Sequence, residues 1–263
     1  MKDIYYFISD VHLGVKSDIS VKEQETILLK FLDEIKNDAK ELIIVGDLFD
    51  CWIEYKQVVP KGFYRFLSKI DEFVNDGIKI TYLSGNHDFW YGTYFKDEFG
   101  IEIIHHPISK EIEGKKFYIH HGDGLAYKDT GYKVLKVILR NKVSQFFYSL
   151  LHPDIGIWLA KSSSSSSREY TGKRNFSPRD GLQDYAVKKF DEGYDFVLMG
   201  HRHFAYTYKE KNGTYANLGD WINIFSYGEF KNGEFKLKKF YDKEKKQIIA
   251  FEERGILKEI VQK

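Results

Sequence analysis

The chain of 263 residues carries 40 Lys and Arg against 39 Asp and Glu, which leaves a formal net charge of +1. This balance gives no overall electrostatic bias toward nucleic acid or a membrane surface. Hydrophobic residues make up 43% and aromatic residues 17% of the chain, and this composition excludes a disordered protein.

The first predicted element is a strand over Ile4–Ser9, which begins close to Met1 without the long apolar stretch or cleavage site of a signal peptide. No apolar run approaches the ~20 residues that a membrane-spanning helix needs. Cys51 is the single cysteine, so an intramolecular disulfide is excluded and a reducing compartment is expected. These features together predict a soluble cytoplasmic protein.

The first half of the chain alternates short apolar runs with amphipathic stretches, which is typical of βα units. The elements predicted after the first strand are a helix over Val21–Lys36, a strand over Glu41–Val45, a helix that begins at Pro60 and ends at Asp76–Gly77, and a strand over Ile78–Leu83. The first half therefore predicts a βαβαβ arrangement.

The second half has a different pattern, with turn glycines that predict β-hairpins. One hairpin is expected over Glu111–His120, and two more around Asn212–Gly213 and Asn232–Gly233. A helix over Arg179–Phe190 and a buried strand over Asp195–Met199 precede the last two hairpins. The chain as a whole is therefore predicted to form a mixed α/β (α+β) sandwich.

A helical stretch over Tyr132–Ala160 does not follow either pattern. Its apolar residues lie around most of the helix circumference, so it is either wrapped by the core or exposes an apolar face to a partner or ligand. Ser162–Ser167 follows as six serines, a composition that favours a flexible loop. A buried helix pair and a mobile cap with an apolar underside both fit this stretch.

Histidine, aspartate and asparagine cluster where the predicted strands end. The segments are Asp10–Val11–His12, Gly46–Asp47, Gly85–Asn86–His87–Asp88, His121–Gly122–Asp123 and Gly200–His201–Arg202–His203. Open α/β sheets bind ligands beyond the carboxyl ends of their strands, so the five segments can converge on one site. Each segment alone is more often an ordinary turn or surface pair, whereas the whole set in this order predicts a functional site.

Seven side chains of these segments have the donor atoms that a pair of divalent metal ions requires. They are Asp10, His12, Asp47, Asn86, His121, His201 and His203. His105 and His106 have no such setting and are predicted to lie in a loop. His120 is predicted to point away from its neighbour His121, because side chains alternate along a strand.

The five segments together closely resemble the calcineurin-like metallophosphoesterase superfamily, over residues 8–203. The resemblance implies a four-layer αββα fold with a dinuclear centre bridged by Asp47. One metal would be held by Asp10, His12, Asp47 and His203, and the other by Asp47, Asn86, His121 and His201. His87 would steady the phosphoryl group or protonate the leaving oxygen, Asp88 would orient His87, and His201 would face the charge that develops on phosphate.

Further segments are similar to the bacterial UDP-2,3-diacylglucosamine pyrophosphohydrolases of lipid A synthesis. They are Gly46–Trp52, Asn86–Trp90, His121–Leu125 and Leu218–Trp221. This resemblance covers almost the whole chain and implies cleavage of the substrate to UMP and 2,3-diacylglucosamine 1-phosphate. It implies a single domain over residues 1–263 with a helical lid over about 125–175, in which Asp129 and Tyr132 would bind the glucosamine beside Asn86 and His87.

The mixed oxygen and nitrogen donor set predicts two Mn²⁺ ions, although affinity order alone favours Zn²⁺, and Fe is a further alternative. The basic residues near the lid favour peripheral binding to the cytoplasmic face of the inner membrane, although a solvated helix face fits them nearly as well. These residues are Lys128, Lys133, Lys136, Arg140 and Lys142. No nucleic acid and no obligate protein partner are expected.

Two other interpretations stay open. Many members of the narrower family have Arg where His87 stands, so an enzyme for a soluble phosphodiester or nucleotide is the alternative. A non-catalytic scaffold is the third interpretation, although all seven ligand types are retained.

Overall fold

The computed structural model describes residues 2–88, 90, 92–125, 141–160, 162, 181–257 and 259–261. These residues form two six-stranded sheets that share an apolar core, and helices pack on the outer face of each of them. A separate sheet has two short strands. This αββα arrangement of four layers confirms the predicted fold class.

The helices and strands of the described residues have the following bounds. The strands are β1 (Ile4–Ile8), β2 (Ala39–Val45), β3 (Lys79–Leu83), β4 (Ile103–Ile104), β5 (Ile108–Ile112), β6 (Lys115–Ile119), β7 (Phe196–Met199), β8 (Tyr206–Glu210), β9 (Gly213–Asn217), β10 (Ser226–Lys231), β11 (Glu234–Lys239), β12 (Tyr241–Asp242), β13 (Gln247–Ile248) and β14 (Glu259–Val261). The helices are α1 (Val21–Ile35), α2 (Tyr64–Asn75), α3 (Tyr94–Phe99), α4 (Lys142–Ser149), α5 (153–160) and α6 (Gly181–Asp191), with a 3₁₀ turn at Phe251–Glu253.

The first sheet has the strand order β11-β10-β1-β2-β3-β4. Strands β1, β2 and β3 are parallel and are connected by α1 and α2, as predicted. Ile8 lies opposite Ile44, and Val45 lies opposite Leu83. Because these registers align the carboxyl ends of the three strands, the loops that follow them lie at one edge of the sheet.

The second sheet has the strand order β14-β8-β9-β7-β6-β5. Its central strands β6, β7 and β9 are parallel, with Ile119 opposite Leu198 and Met199 opposite Asn217. The three predicted hairpins are confirmed as the antiparallel pairs β5-β6, β8-β9 and β10-β11. The loops that follow these parallel strands therefore also lie at one edge of their sheet.

Side-chain alternation along the strands separates three apolar cores. In β1, Tyr5 and Phe7 face the second sheet, whereas Tyr6 and Ile8 face α1 and α2. Phe7 stacks on Phe117 of β6 with ring centroids 6.0 Å apart, which joins the two sheets. The third core lies between α6 and the outer face of the second sheet.

The largest error in a predicted boundary is the start of the second helix, because α2 begins at Tyr64 and not at Pro60. The strand β2 begins at Ala39, two residues before its predicted start. The chain takes left-handed backbone angles at Gly62 (φ 100°) and Phe63 (φ 59°), which no α-helix can contain. Phe63 packs on Phe49, with ring centroids 5.0 Å apart. Tertiary packing therefore overrides the tendency of proline to begin a helix.

The predicted helical stretch over Tyr132–Ala160 lies partly outside the described residues. The described part forms α4 and α5, which expose several large apolar side chains. They are Val143, Phe146, Phe147, Leu150, Ile155, Trp158 and Leu159. This part therefore fits the interpretation of an exposed apolar face and not that of a buried helix pair. Within the described residues, no helix has the length and apolar character needed to span a membrane.

Candidate metal centre

The loops after the parallel strands bring a first group of donor atoms to one point. His12 Nε2 lies 3.3 Å from His203 Nε2 and 3.6 Å from Asp47 Oδ2. His203 Nε2 is in turn 3.4 Å from Asp10 Oδ1. Atoms so arranged can all be ligands of one cation placed among them. This group contains the four side chains assigned to the first metal.

A second group lies next to the first and shares the same carboxylate. Asn86 Oδ1 is 2.8 Å from His201 Nδ1 and 3.0 Å from His121 Nε2. His121 Nε2 is 3.3 Å from Asp47 Oδ2. The oxygen of Asp47 that approaches the first group therefore also borders the second. The structure brings all seven predicted ligands together, and their binding of metal stays a prediction.

Hydrogen bonds from outside the centre determine which carboxylate oxygen faces it. Asp10 Oδ2 accepts from Ser9 Oγ at 2.5 Å and from the backbone N–H of His201 at 2.8 Å. Asp10 Oδ1 is buried and accepts no hydrogen bond from the described residues. Asp47 Oδ1 accepts from the His87 N–H at 2.8 Å, which leaves Oδ2 for the centre. A buried anionic oxygen without a donor, amid imidazole nitrogens, fits a divalent cation.

Contacts with groups outside the centre also orient two of the histidine side chains. His121 Nδ1 donates to the carbonyl of Val45 at 2.9 Å, and His203 Nδ1 lies 3.2 Å from Asp220 Oδ2. Protons on these Nδ1 atoms leave the Nε2 lone pairs directed at the centre. Asp220 is itself fixed, because its other oxygen accepts from the backbone N–H groups of residues 222–224.

The backbone is strained at most of the candidate ligands. Five of the seven have positive φ angles between 49° and 70°, namely Asp10, His12, Asp47, His201 and His203. A left-handed conformation costs a non-glycine residue about 1–3 kcal/mol and persists at functional sites when the surroundings enforce it. Close packing adds a further constraint, since a Cβ at Gly85 would lie 2.0 Å from Asp47 Oδ1.

The electrostatics of the centre favour a positive charge on two of the imidazoles, whereas burial and the neighbouring His121 lower the pKa of His201 to about 4. Burial alone would lower the pKa of His121, but the Asp47 carboxylate raises it to about 10. Burial likewise opposes protonation of His203, whose pKa Asp10 and Asp220 raise to about 9. Burial would raise the pKa of Asp10, but His203 and its other partners lower it to about 2. The carboxylates are therefore ionised at neutral pH, and they attract protons or cations.

The two other predicted catalytic residues have different surroundings. The Asp88 carboxylate accepts hydrogen bonds from the N–H groups of Leu48 and Gly85 and from the Tyr82 hydroxyl, each at 2.7 Å. These contacts tie the loop after β2 to the loop after β3. They make Asp88 a positioning residue for the centre, and its orientation of His87 stays a prediction.

Another carboxylate, which the sequence analysis did not single out, lies beside His87. His87 Nδ1 is 3.8 Å from Asp50 Oδ1, and the same oxygen is 3.9 Å from His12 Nδ1. The rings of His12 and His87 meet edge to face, with centroids 4.7 Å apart. Asp50 therefore lies where it can orient a ring next to the candidate metal ligands. The sequence signal that could have identified Asp50 is its position three residues after Asp47.

Two further positioning residues were missed, each with a recognisable signal. Asp220 follows β9 within Gly219–Asp220, the same strand-end setting that identified the ligands. Gln24 is a buried polar residue on the apolar face of α1. Its Nε2 donates to the carbonyls of Val11 and Trp221 at 2.6 and 3.2 Å, and so links the loops after β1 and β9.

The sequence analysis placed His105 and His120 outside the donor set and assigned two lid residues to substrate binding. His105 lies in the loop after β4, with its Nδ1 2.9 Å from Ser84 Oγ. His120 Nδ1 accepts the N–H of Gly122 at 3.0 Å. Asp129 and Tyr132, assigned to substrate binding, lie outside the described residues, as does most of the predicted lid over 125–175.

Comparisons with known proteins agree with this geometry. The family model of calcineurin-like phosphoesterases matches residues 5–205. A UDP-2,3-diacylglucosamine hydrolase of Porphyromonas gingivalis is 32% identical over 93% of this chain and 100% of the relative. The enzyme of the same name from Haemophilus influenzae strain Rd is 26% identical over 82% of this chain and 90% of the relative.

Among solved structures, Vacuolar Protein Sorting 29 of Cryptosporidium parvum matches with a TM-score of 0.48 and 9% identity, over 97% of this chain and 95% of that chain. The family match spans every candidate ligand, from Asp10 to His203, and the sequence resemblance is thereby confirmed. The chain belongs to the calcineurin-like phosphoesterase family.

Proposed function

We propose that this protein hydrolyses the pyrophosphate of UDP-2,3-diacylglucosamine, giving UMP and 2,3-diacylglucosamine 1-phosphate. The observation that carries the hydrolytic chemistry is Asp47 Oδ2, which borders two groups of metal-compatible donors. The choice of substrate is supported by the Porphyromonas gingivalis relative, which bears the name of that activity and aligns over its whole length.

The donor set fits two divalent cations with mixed oxygen and nitrogen ligands. When bound, the cations supply Lewis acidity that stabilises phosphoryl charge and lowers the pKa of water toward neutrality. We propose Mn²⁺ in both positions, because a shell of carboxylate, amide and imidazole suits it, with Zn²⁺ and Fe as alternatives. Asp10, His12, Asp47 and His203 would hold one cation, and Asp47, Asn86, His121 and His201 the other.

The chain's own residues contribute orientation and proton handling. His87 lies beside the first donor group, and its side chain is partly accessible. With Nδ1 turned toward Asp50, the ring can present Nε2 to a phosphoryl or leaving oxygen. His87 is therefore the residue that we propose as hydrogen-bond or proton donor. Asp88 ties the loop after β3, which carries His87, to the loop after β2.

The acyl chains of the proposed substrate require an apolar surface near the centre. Phe147 of α4 and Trp158 of α5 are each 64% exposed, and Phe146 is 59% exposed. Three large exposed apolar side chains on two adjacent helices are typical of a surface that meets lipid or a partner. We propose that this helical insertion in a single domain binds the acyl chains and that the protein associates peripherally with the cytoplasmic face of the inner membrane.

A soluble phosphodiester or nucleotide is the second candidate substrate. The observation that favours it is His87, which stands where many members of the narrower family have arginine. A guanidinium is always charged and can contact phosphate through two parallel hydrogen bonds, whereas an imidazole is charged only when protonated and forms no bidentate contact. The two candidates differ in their requirement for an apolar surface beside the centre.

A substrate panel tests the proposal. The purified protein, loaded with Mn²⁺, is assayed with UDP-2,3-diacylglucosamine and with bis-p-nitrophenyl phosphate, and products are identified by mass spectrometry. We expect UMP release with the lipid substrate at a far higher kcat/KM than phosphodiester cleavage, and loss of both activities after chelation. Turnover of the phosphodiester alone would favour the second candidate. Retention of fewer than two metals with no turnover would favour the non-catalytic scaffold.

A further inference from the structure

The helices α4 and α5 contact the metal-site loops through a small set of aromatic residues. Trp90 follows His87 by three residues in the loop after β3, and Tyr55 follows Asp50 by five residues in the loop after β2. We call Tyr55 and Trp90 the aromatic seat. Both seat residues belong to loops that also carry groups of the candidate catalytic centre.

The two loops are fixed to one another beneath the helices. Ile53 and Trp90 form a parallel β-bridge. The Glu54 carboxylate accepts hydrogen bonds from the backbone N–H groups of Gly92, Thr93 and Tyr94 at 2.8, 2.8 and 3.0 Å. Three charge-assisted hydrogen bonds to one carboxylate hold this stretch in a defined conformation. The aromatic seat therefore rests on an ordered base.

Helix α4 rests on this seat through Tyr148. The rings of Trp90 and Tyr148 lie with centroids 4.5 Å apart. The Tyr148 hydroxyl then donates to the carbonyl of Gly156 in α5 at 2.5 Å. One tyrosine thus connects the loop after β3, α4 and α5.

Helix α5 meets the other half of the seat at Gly156, which is buried. A Cβ at this position would lie 2.0 Å from Tyr55 Oη and 3.1 Å from Tyr148 Cε1. Any side chain larger than hydrogen would therefore displace Tyr55 or lift the helix. The Tyr55 hydroxyl is buried there without a hydrogen-bond partner among the described residues. Close contact, and not hydrogen bonding, is what Tyr55 provides.

From this arrangement, we propose that the aromatic seat sets the position of α4 and α5 relative to the metal centre and so determines the preference for a doubly acylated substrate. The inference rests on the proposed function. Tyr55, Trp90 and Gly156 are positioning residues, because they act on substrate through the exposed apolar side chains of the two helices. Bound geometry that shifts by about 1 Å can cost a reaction up to about 100-fold.

The test is Gly156→Ala in the full-length, Mn²⁺-loaded enzyme. Alanine ordinarily stabilises a helix relative to glycine, so a purely local effect would leave the fold intact or firmer. We expect KM for UDP-2,3-diacylglucosamine to rise about 10-fold, and kcat for bis-p-nitrophenyl phosphate to stay unchanged. The double variant Tyr55→Phe with Gly156→Ala should recover much of this loss, because the atom that lies 2.0 Å away is removed. Asp154→Ala, at an exposed position of α5, is the matched control.

Hydrogen exchange provides a readout that does not depend on the substrate. Backbone amides of α4 should exchange faster in Gly156→Ala than in the wild type and slow again in the double variant. Unchanged KM and unchanged exchange in Gly156→Ala would overturn the proposal, as would equal loss of both activities. If Gly156→Ala fails to fold, Trp90→Leu carries the same expectations. Wild-type enzyme without lipid turnover would instead refute the proposed function, and exchange would still report on the seat.

Discussion

The metal centre and the helix pair α4–α5 differ in the exposure of the side chains on which their proposed roles depend. In the centre, the ligand residues Asp10, His12 and Asp47 are buried at the ends of strands, and outer hydrogen bonds fix their orientation. In the helix pair, large side chains such as Phe147 and Trp158 face solvent. A rigid buried centre suits chemistry common to a whole family, whereas an exposed insertion suits selection among substrates. If chemistry and selection separate in this way, variants of the centre should impair both substrates, and variants of the helix pair only the lipid.

The largest effect is expected from Asp47→Ala, which removes the oxygen shared by both donor groups. Loss of this carboxylate leaves the two cations without their common ligand, so turnover should fall by at least about 10³-fold for lipid and small phosphodiester alike. Metal content, measured on the purified variant, should fall below two per chain. Asp71→Ala on α2, an exposed position, should retain wild-type values. Activity near wild type in Asp47→Ala would contradict the bridging role.

Metal affinity should depend steeply on pH, because cations compete with protons for the same nitrogens. The pKa of His121 is raised to about 10 and that of His203 to about 9 in the metal-free protein, so both rings are protonated at pH 7. Each cation must displace one proton, and its apparent affinity should fall about 10-fold for each pH unit below 9.

Calorimetric titration of Mn²⁺ into metal-free protein, in two buffers of different ionisation heat, measures this exchange. We expect release of about two protons for each pair of ions bound at pH 7. Release near zero at that pH would show that the imidazoles of His121 and His203 are not the groups that the cations displace.

A smaller effect is expected from Asp220→Ala, which leaves every candidate ligand in place. Asp220 Oδ2 lies 3.2 Å from His203 Nδ1, and its removal frees the ring to rotate or change tautomer. Affinity for the first cation should fall about 10–100-fold, and that for the second much less. Asp220→Asn keeps the shape but can donate where the carboxylate accepts, so equal loss in both variants identifies charge and proton acceptance as the essential property. Unchanged affinity in Asp220→Ala would contradict the role.

The ligand set could be predicted from sequence because it follows a simple rule of topology. Parallel strands deliver their carboxyl ends to one edge, so polar segments directly after apolar runs must meet there. Asp10, Asp47 and His121 were found by this rule. The left-handed backbone at His12 and His203 could not be predicted, because few non-glycine residues adopt it, histidine included, and the tertiary surroundings enforce it.

Residues that act through other residues were harder to find. The role of Asp50 was not predicted, because its partner His87 is distant in sequence and the two residues meet only where two loops come together. Gln24 was not singled out because it occupies one of the apolar positions of α1, and a single polar residue there indicates no particular contact. The start of α2 was misplaced because the contact of Phe63 with Phe49 is a tertiary interaction. Local patterns report strand ends well, but they carry little information on contacts between loops.

The smallest effect, and the one most specific to the helix pair, is expected from Phe146→Ser with Phe147→Ser. Both side chains are more than half exposed, so their replacement costs the fold little burial. If they meet the acyl chains, KM for UDP-2,3-diacylglucosamine should rise about 10-fold, since the two lost apolar contacts together weaken binding by about 1.4 kcal/mol.

Turnover of bis-p-nitrophenyl phosphate and the metal content should be unchanged in the same double variant, because neither depends on α4. The matched control is Tyr64→Ser, which removes an aromatic ring that is 75% exposed on α2. A rise in KM in this control would mean that surface apolarity in general, and not the helix pair, governs the lipid substrate. Parallel loss of both activities in Phe146→Ser with Phe147→Ser would mean that α4 supports the metal centre itself, and the separation of chemistry from selection would then fail.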